Sequence, residues 1–466
     1  MKKIFRKTKH IHFVGIGGIG MSGMAELLLN HGFKISGSDI NKSERTKYLS
    51  NTGINIFYNH REKNITSADV IVYSSAVNKN NKELIFGNKK NIPIIKRSEL
   101  LGELIKIKDV SVGIAGTHGK TTTSSMLGSI LYESKLDPTL IIGGIVNKFK
   151  SNNISGDGDI IVVEADEFDR SFLSLKPTYS IINNLDLEHL DCYENITDLK
   201  NTFCQYANSI PFYGRVAINN DSKYLNQIID KINKPKITFG IEKKSNINAE
   251  IISYTKNNSI FEIISKEHKK FKINLNFPGK HNIYNALAAT TIALELGIST
   301  KQISLALNHY SGVKRRFETI YYNTKNEIIV IDDYAHHPIE IEYTLQAAKK
   351  GWNKRIISIF EPHLYSRTKN FHKQFANALS LSNHIIISDI YGAREKPIKG
   401  VSSQLIIDDL HKINSNHCVY IKDKNKIPEY INKIVRKNDM LILMGAGQIN
   451  SITNNILKII RNNHED

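Results

Sequence analysis

Gly116-Thr117-His118-Gly119-Lys120-Thr121-Thr122 follows the apolar run Val110-Ser111-Val112-Gly113-Ile114-Ala115 and precedes Ser124 to Tyr132. The run reads as a buried strand and the later segment as a helix. Strand, glycine turn, Lys-Thr and helix is the arrangement that cradles a nucleotide triphosphate. Backbone N–H groups at the helix start hold phosphate oxygens, the lysine reaches the terminal phosphates, and the threonine hydroxyl meets magnesium. The common phosphate-loop spacing is not met, because Ile114 stands where its first glycine belongs. A plain polar turn is the competing reading, and it is weakened by a second nucleotide signature upstream.

That second signature is Gly15-Ile16-Gly17-Gly18-Ile19-Gly20, placed between the strand Ile11-His12-Phe13-Val14 and a helix from Met21 to Asn30. The next strand, Phe33 to Ser38, ends at Asp39, 19 positions after Gly20. This matches the glycine fingerprint of dinucleotide binding with its acidic partner. Taken alone it says NAD-dependent dehydrogenase. The Lys120 loop says phosphoryl transfer. The two agree if the first turn holds the pyrophosphate of a nucleotide-linked substrate and the second holds ATP.

At 466 residues the chain exceeds one ordinary core. Three blocks are expected. Residues 1–107 read as a Rossmann-like unit, with Val70-Ile71-Val72-Tyr73 leading into Ser74. Residues 108–313 read as a central ATPase-type α/β domain. Its segment Ile247 to Leu275 looks like an antiparallel β extension, followed by helices at His281–Leu296 and Lys301–His309. Residues 314–466 alternate apolar strands with helices and read as a second parallel α/β domain. The fold class is therefore α/β throughout.

Composition narrows the function classes. Hydrophobic residues at 41% and charged residues at 23% describe a soluble globular chain. The net charge of +18 invites a nucleic-acid reading, but the positive charge is spread thinly among Asn and Ile. No nucleic acid is therefore expected as partner. No run approaches the ~18 apolar residues of a membrane span. Cys192, Cys204 and Cys418 form no paired motif, which fits a reducing cytoplasm.

The chemistry should collect at C-terminal strand ends. Glu164-Ala165-Asp166-Glu167 ends one apolar strand, and Asn183-Asn184 ends another, with His189 shortly after. Magnesium prefers hard oxygen ligands, which makes Thr121 and Glu164 candidates, with His189 as a third. In the last block, Asp332-Asp333-Tyr334-Ala335-His336-His337-Pro338 and Glu361-Pro362-His363-Leu364-Tyr365-Ser366-Arg367 each follow a strand. The planar fork of Arg367 suits a carboxylate or phosphate. His336, His337 and His363 suit orienting a substrate or moving a proton. A metal shared by the adjacent pair is disfavoured.

These motifs resemble those of the Mur ligases. The resemblance runs from His12 to about Leu457 and is carried by His12 to Ala25, Ala115 to Thr123, Glu164 to Glu167, and Pro278-Gly279-Lys280-His281-Asn282. Arg315-Arg316-Phe317, Asp332 to Pro338, Pro362-His363 and Gly445-Ala446-Gly447 complete it. The Thr-His form of the loop and the Asp-Asp-Tyr-x-His-His-Pro motif point to the member that joins L-alanine to UDP-N-acetylmuramate, with ATP and Mg2+. The resemblance implies an acyl phosphate on the sugar carboxylate, attacked by the amine of L-alanine.

The resemblance also implies roles residue by residue. Gly116 to Thr122 hold ATP, with Lys120 on the transferring phosphate and Thr121, Glu164 and His189 on Mg2+. His281 and Asn285 border the adenine, and Arg316 and Asp332 lie near the nucleotide. Gly17, Gly18, Ile19, Gly20, Asp39 and Ser74 hold the UDP part. Tyr334, His336, His363 and Arg367 face the amino acid, with His336 counted among the catalytic groups. Phe168, Ala335, Leu364 and Gln448 depart from the family pattern, and Leu364 leaves Arg367 as the main carboxylate contact. Joining an amine to an acyl carbon needs a reach of about 3–3.5 Å, so the last block should close on the central one. A monomer or weak dimer is expected. A recycling relative that attaches a whole peptide is the neighbouring alternative.

Overall fold

The computed structural model describes residues 5, 7–187, 192–254, 256–393, 395–413 and 417–464. Three sheets organise them. The first has five parallel strands in the order Asn55–Phe57, Lys34–Ser38, His10–Val14, Val70–Tyr73, Ile94–Lys96. The helix Ile19–Asn30 leaves the central strand directly through the first glycine turn.

The second sheet has ten strands. From one edge they are Phe271–Leu275, Ser259–Ser265, Ile247–Tyr254, Lys236–Gly240, Arg215–Asn219, Tyr179–Ile182, Val110–Ala115, Ile160–Glu164, Thr139–Val146 and Ser151–Ile154. The phosphate-loop strand Val110–Ala115 pairs in parallel with Tyr179–Ile182 on one side and Ile160–Glu164 on the other. Its residues are apolar or small because helices cover both faces of such a strand. The expected β extension continues this sheet, and its strand Ile247–Tyr254 joins Lys236–Gly240 in parallel.

Two elements differ from the sequence reading. The phosphate-loop helix starts at Lys120, not Ser124. Three successive threonines, poor helix formers in isolation, hide its first turn. The antiparallel hairpin Thr139–Val146/Ser151–Ile154 was not expected. Its Gly143-Gly144 pair and its Lys, Ser and Asn residues blur the alternation that marks a strand.

The third sheet runs Glu318–Tyr322, Ile329–Asp333, Asp439–Met444, Arg355–Phe360, His384–Ile387, Cys418–Tyr420, with Glu318–Tyr322 antiparallel and the others parallel. Alternation along its strands splits the core in two. Ile331, Ile356, Phe360, Met440 and Ile442 pack on one face, and Val330, Ile357, Ile359, Leu441 and Leu443 on the other. A side-chain period of two with both sets buried is the mark of a doubly covered sheet.

The chain forms two compact units. One comprises Met1–Ile252, Ile260–Leu275 and Asn282–Gly312 and holds the first two sheets; the other comprises Ser253–Ser259, Asn276–His281 and Val313–Asp466. In the first unit, Phe172 stacks on Tyr206 at 4.7 Å and meets Phe203 edge-on at 5.1 Å. Among the described residues, no helix is long and apolar enough to cross a membrane.

Candidate active site

The turn Gly116–Gly119 is braced from the next strand end. Asn184 Oδ1 accepts the N–H of His118 at 2.8 Å, and its side-chain amide donates to the His118 carbonyl at 3.2 Å. Asn183 donates to Thr123 Oγ1 at 2.9 Å. Thr123 in turn donates to Asn285 Oδ1 at 3.2 Å. Gly119 has φ 80°, and a Cβ there would overlap Asn285 Oδ1. Only glycine meets both demands at low cost.

Lys120 is already directed into this turn. Its Nζ donates to the carbonyls of Gly116 at 2.8 Å and Thr117 at 3.3 Å, and to Glu167 Oε2 at 2.7 Å. Glu167 is 1% exposed, so the pair forms away from water and is screened little. Tyr193 donates to the Glu167 carbonyl at 2.6 Å and fixes that segment. Glu167 was legible only as part of an acidic run. Its contact with Lys120 needed the fold.

Thr121 Oγ1 donates to Glu164 Oε2 at 3.2 Å, and Glu164 Oε1 accepts the Gly143 N–H at 2.6 Å. A hydroxyl and a carboxylate side by side at the strand ends are hard oxygen donors, which suits Mg2+. His189, the third expected ligand, lies outside the described residues. Among the described residues, no group of three His, Cys, Asp or Glu side chains is placed to hold a metal. Burial raises the Asp186 carboxyl above its ordinary range, and the nearby His118 ring, 3.8 Å away, partly opposes that.

The first glycine turn is held differently. Asp39 Oδ2 accepts the Gly17 N–H at 2.9 Å, and Oδ1 accepts that of Asn41 at 3.0 Å. The Ser38 carbonyl accepts the N–H groups of Gly15 and Ile16 at 2.8 and 3.1 Å. Ser74 Oγ packs over Gly15. Gly18 and Ile19 are exposed at the helix start. Arg97, which sequence reasoning passed over, packs beside Gly20. Being the first residue of its own helix, it carried no motif signal.

The second unit gathers a separate cluster. The rings of His336 and His363 meet edge-on at 5.6 Å, and His363 stacks on Tyr391 at 5.9 Å. Arg367 Nη1 is 3.2 Å from His363 Nδ1, and Tyr334 packs against His336 at 5.3 Å. The four expected amino-acid contacts are thus brought together, with Tyr391 added. The adjacent histidines part company, since His337 is buried against Phe371 instead. Burial lowers the His336 pKa to about 3, and Arg367 and His363 push the same way against Glu340. Leu364 has φ 71° at the start of the helix that carries Arg367, a strained setting of the kind that collects at functional sites.

Asp332 pairs with Arg315, at 3.2 Å, and not with Arg316. Arg315 also donates to the Gly445 carbonyl at 2.6 Å. Arg316 lies over the Tyr334 ring and 3.9 Å from Glu340. His281 stacks on Tyr343 at 5.5 Å, and burial lowers its pKa to about 4. Ala335 is buried with its N–H on Asp333, Phe168 directs its N–H at Asp166, and Gln448 precedes a short helical turn.

Three family models match in succession: "Mur ligase family, catalytic domain" at residues 10–108, "Mur ligase middle domain" at 114–293, and "Mur ligase, glutamate ligase domain" at 315–447. The chain belongs to the Mur ligase family. As a Mur ligase it is 42% identical to the UDP-N-acetylmuramate–L-alanine ligase of Persephonella marina, over 98% of both chains. It is 40% identical to the ligase of that name from Syntrophus aciditrophicus, over 98% of this chain and 94% of the other. Among solved structures, the UDP-N-acetylmuramate-alanine ligase MurC of Thermotoga maritima superposes with a TM-score of 0.82 at 29% identity, covering 97% and 99% of the two chains. A murein peptide ligase from Psychrobacter arcticus superposes with a TM-score of 0.74 at 25% identity over the same shares. This Mur ligase has the three-sheet α/β architecture expected of the family.

Proposed function

We propose that this enzyme joins L-alanine to the carboxylate of UDP-N-acetylmuramate at the expense of ATP, through an acyl phosphate, in peptidoglycan precursor synthesis. The observation that carries the reading is the placement of Lys120 inside the Gly116–Gly119 turn, with Thr121 and Glu164 beside it. It stands together with full-length likeness to L-alanine ligases. Phosphoryl transfer needs positioning and charge stabilisation more than covalent help. Lys120 supplies a fixed positive charge where the transferring phosphate passes, and the turn's amides orient the chain of phosphates.

Thr121 and Glu164 are the residues we assign to Mg2+, with His189 as a further ligand. The ion, when bound, would neutralise phosphate charge. Gly17 to Gly20, Asp39 and Ser74 are assigned to the UDP part, and His281, Asn285, Arg316 and Asp332 to the surroundings of the nucleotide. Arg367 is assigned to the L-alanine carboxylate. His336, held neutral, can accept a hydrogen bond from an ammonium group. The three blocks 1–107, 108–313 and 314–466 then serve UDP, ATP and amino acid in turn. We place the reaction in the cytoplasm, where ATP and nucleotide sugars are held.

The test is ADP release with UDP-N-acetylmuramate and each amino acid in turn, beside a tripeptide. L-Alanine should give the highest kcat/KM. Preference for the tripeptide would instead assign cell-wall recycling, and NADH binding without ADP release would make the first turn that of a dehydrogenase.

A further inference from the structure

Glu83 is fully buried beneath the first sheet, in the opening turn of the helix Lys82–Lys89. Its Oε2 accepts from Ser38 Oγ at 2.6 Å and lies 3.0 Å from His60 Nδ1. Its Oε1 accepts from Asn64 at 2.6 Å and stands 3.6 Å from His12 Nε2. His12 continues through Ser36 Oγ, at 2.7 Å, to His10. A buried carboxylate is costly unless its lone pairs are met. Here four partners meet it, from two strands, a loop and a short helical turn. Burial pushes the Glu83 carboxyl up, but bonds from His12, Ser38 and Asn64 more than offset that and leave it below its ordinary range.

Ser38 is the junction with the glycine turn. Its side chain reaches back to Glu83, while its carbonyl accepts the N–H groups of Gly15 and Ile16. The next residue, Asp39, accepts the N–H of Gly17. Two successive residues therefore hold three consecutive amides of the turn, and the first is anchored by Glu83. None of the chemistry assigned above uses this carboxylate. A purely structural brace of the sheet would have no need to end on the backbone of the nucleotide turn.

We propose that Glu83 is a positioning residue for the UDP-linked substrate: through Ser38 it fixes the end of the Lys34–Ser38 strand and so sets the shape of the Gly15–Gly20 turn. This rests on the assignment of that turn to the UDP part. Glu83 touches no substrate, and its effect is confined to the affinity of one of the three. Glutamine at this position keeps the shape but turns one acceptor into a donor that faces other donors. The loss falls on the Ser38 link or on the His60 and Asn64 links.

The experiment is steady-state kinetics of the full-length enzyme and of E83Q, S38A and the double variant, with each substrate varied in turn. E83Q should raise the KM for UDP-N-acetylmuramate about tenfold, the scale of losing a group that orients a binding residue. The KM values for ATP and L-alanine and kcat should stay within about twofold. S38A should raise the same KM less, and the double variant should be no worse than E83Q, because whatever part of the E83Q loss reaches the turn passes through Ser38. An unchanged UDP-substrate KM, or an equal rise for all three substrates, overturns the proposal. If E83Q does not fold, S38A decides alone, its selective rise supporting the proposal and an unchanged KM overturning it. Wild-type enzyme run in parallel separates the two readings. Its failure to release ADP with UDP-N-acetylmuramate and L-alanine removes the functional assignment and this proposal together, whereas a normal wild type with unmoved variants removes only the role of Glu83.

Discussion

The turns Gly15–Gly20 and Gly116–Gly119 both leave a buried strand paired in parallel on both sides, and both open a helix. What fills them has opposite sign. In the first, the Asp39 carboxylate takes the Gly17 amide. In the second, the Lys120 ammonium lies against the carbonyls of Gly116 and Thr117. The shared backbone supplies amides to any anion. The neighbouring charge then decides how much anion each turn tolerates. In the reading proposed above, the Asp39 carboxylate repels added negative charge and suits a sugar hydroxyl beside a diphosphate of modest charge. An ammonium suits a triphosphate whose charge shifts during reaction.

Removing the two charges should break this symmetry. Lys120→Ala should lower the rate of ADP formation on the order of 10²-fold or more, the scale of a lost transition-state charge clamp. Asp39→Asn should alter only the KM for the UDP-linked substrate, by about the tenfold that one charge-assisted hydrogen bond is worth. Near-normal turnover in the lysine variant would remove the distinction between the turns.

The metal side of the second turn comes next in size. Glu164→Gln keeps a bond to Gly143 and Thr121 within reach but withdraws a negative charge. The Mg2+ concentration for half-maximal rate should rise by about 10–100-fold. A titration that superposes on the wild type would show that Glu164 serves the hairpin and not the ion.

Backbone demands differ as well. Gly119→Ala must carry φ 80° and displace Asn285. Non-glycine residues in such settings cost about 1–3 kcal/mol. The ATP KM should rise about tenfold if that strain is relieved by distorting the turn. Gly17→Ala has an ordinary φ, and its Cβ meets Asp39 Oδ2 at 2.7 Å and Thr46 Cγ2 at 3.0 Å, so it strains side chains and not the backbone. Its smaller effect should fall on the UDP-linked substrate alone. Equal effects on both substrates in either variant would contradict the separate roles of the two turns.

Local pattern explains which parts of this were legible in the sequence. Both turns announce themselves because glycines, joined in the second by lysine and threonine, are needed at fixed offsets from an apolar strand. Glu164 was readable because it ends such a strand. Glu167, Arg97, Tyr391 and Glu83 were not. Each acts on a partner distant in sequence, such as Lys120 for Glu167 or Ser38 for Glu83. Nothing in the spacing of a lone side chain marks that. The hairpin Thr139–Ile154 escaped for a related reason. It is held by what it touches, with Asn153 donating to the Gly23 carbonyl at 2.8 Å and Gly143 donating to Glu164. Sequence pattern records burial better than it records such bonds.

The second compact unit extends the comparison to a third means of arranging a site, with a neutral ring where the turns use charges. His336 is lowered from 6.5 to about 3, first by burial. Between those values the unfolded chain binds a proton that the folded one refuses. Stability rises with pH wherever the unfolded state holds more protons. The His336 contribution is therefore intact above pH 6.5 and is lost progressively as the pH falls towards 3. His281, lowered to about 4, adds in the same direction. Asp333 opposes both, because its carboxyl is raised from 3.8 to about 6 and favours the folded state on the acid side. The whole-protein curve is a difference of these slopes, so a single variant isolates one of them. His336→Gln cannot titrate, and its melting temperature should fall less than that of the wild type between pH 7 and pH 5, by a few degrees at most. Parallel melting curves across that range would mean that His336 takes up its proton in the folded enzyme, and that its cluster carries a charge as the two glycine turns do.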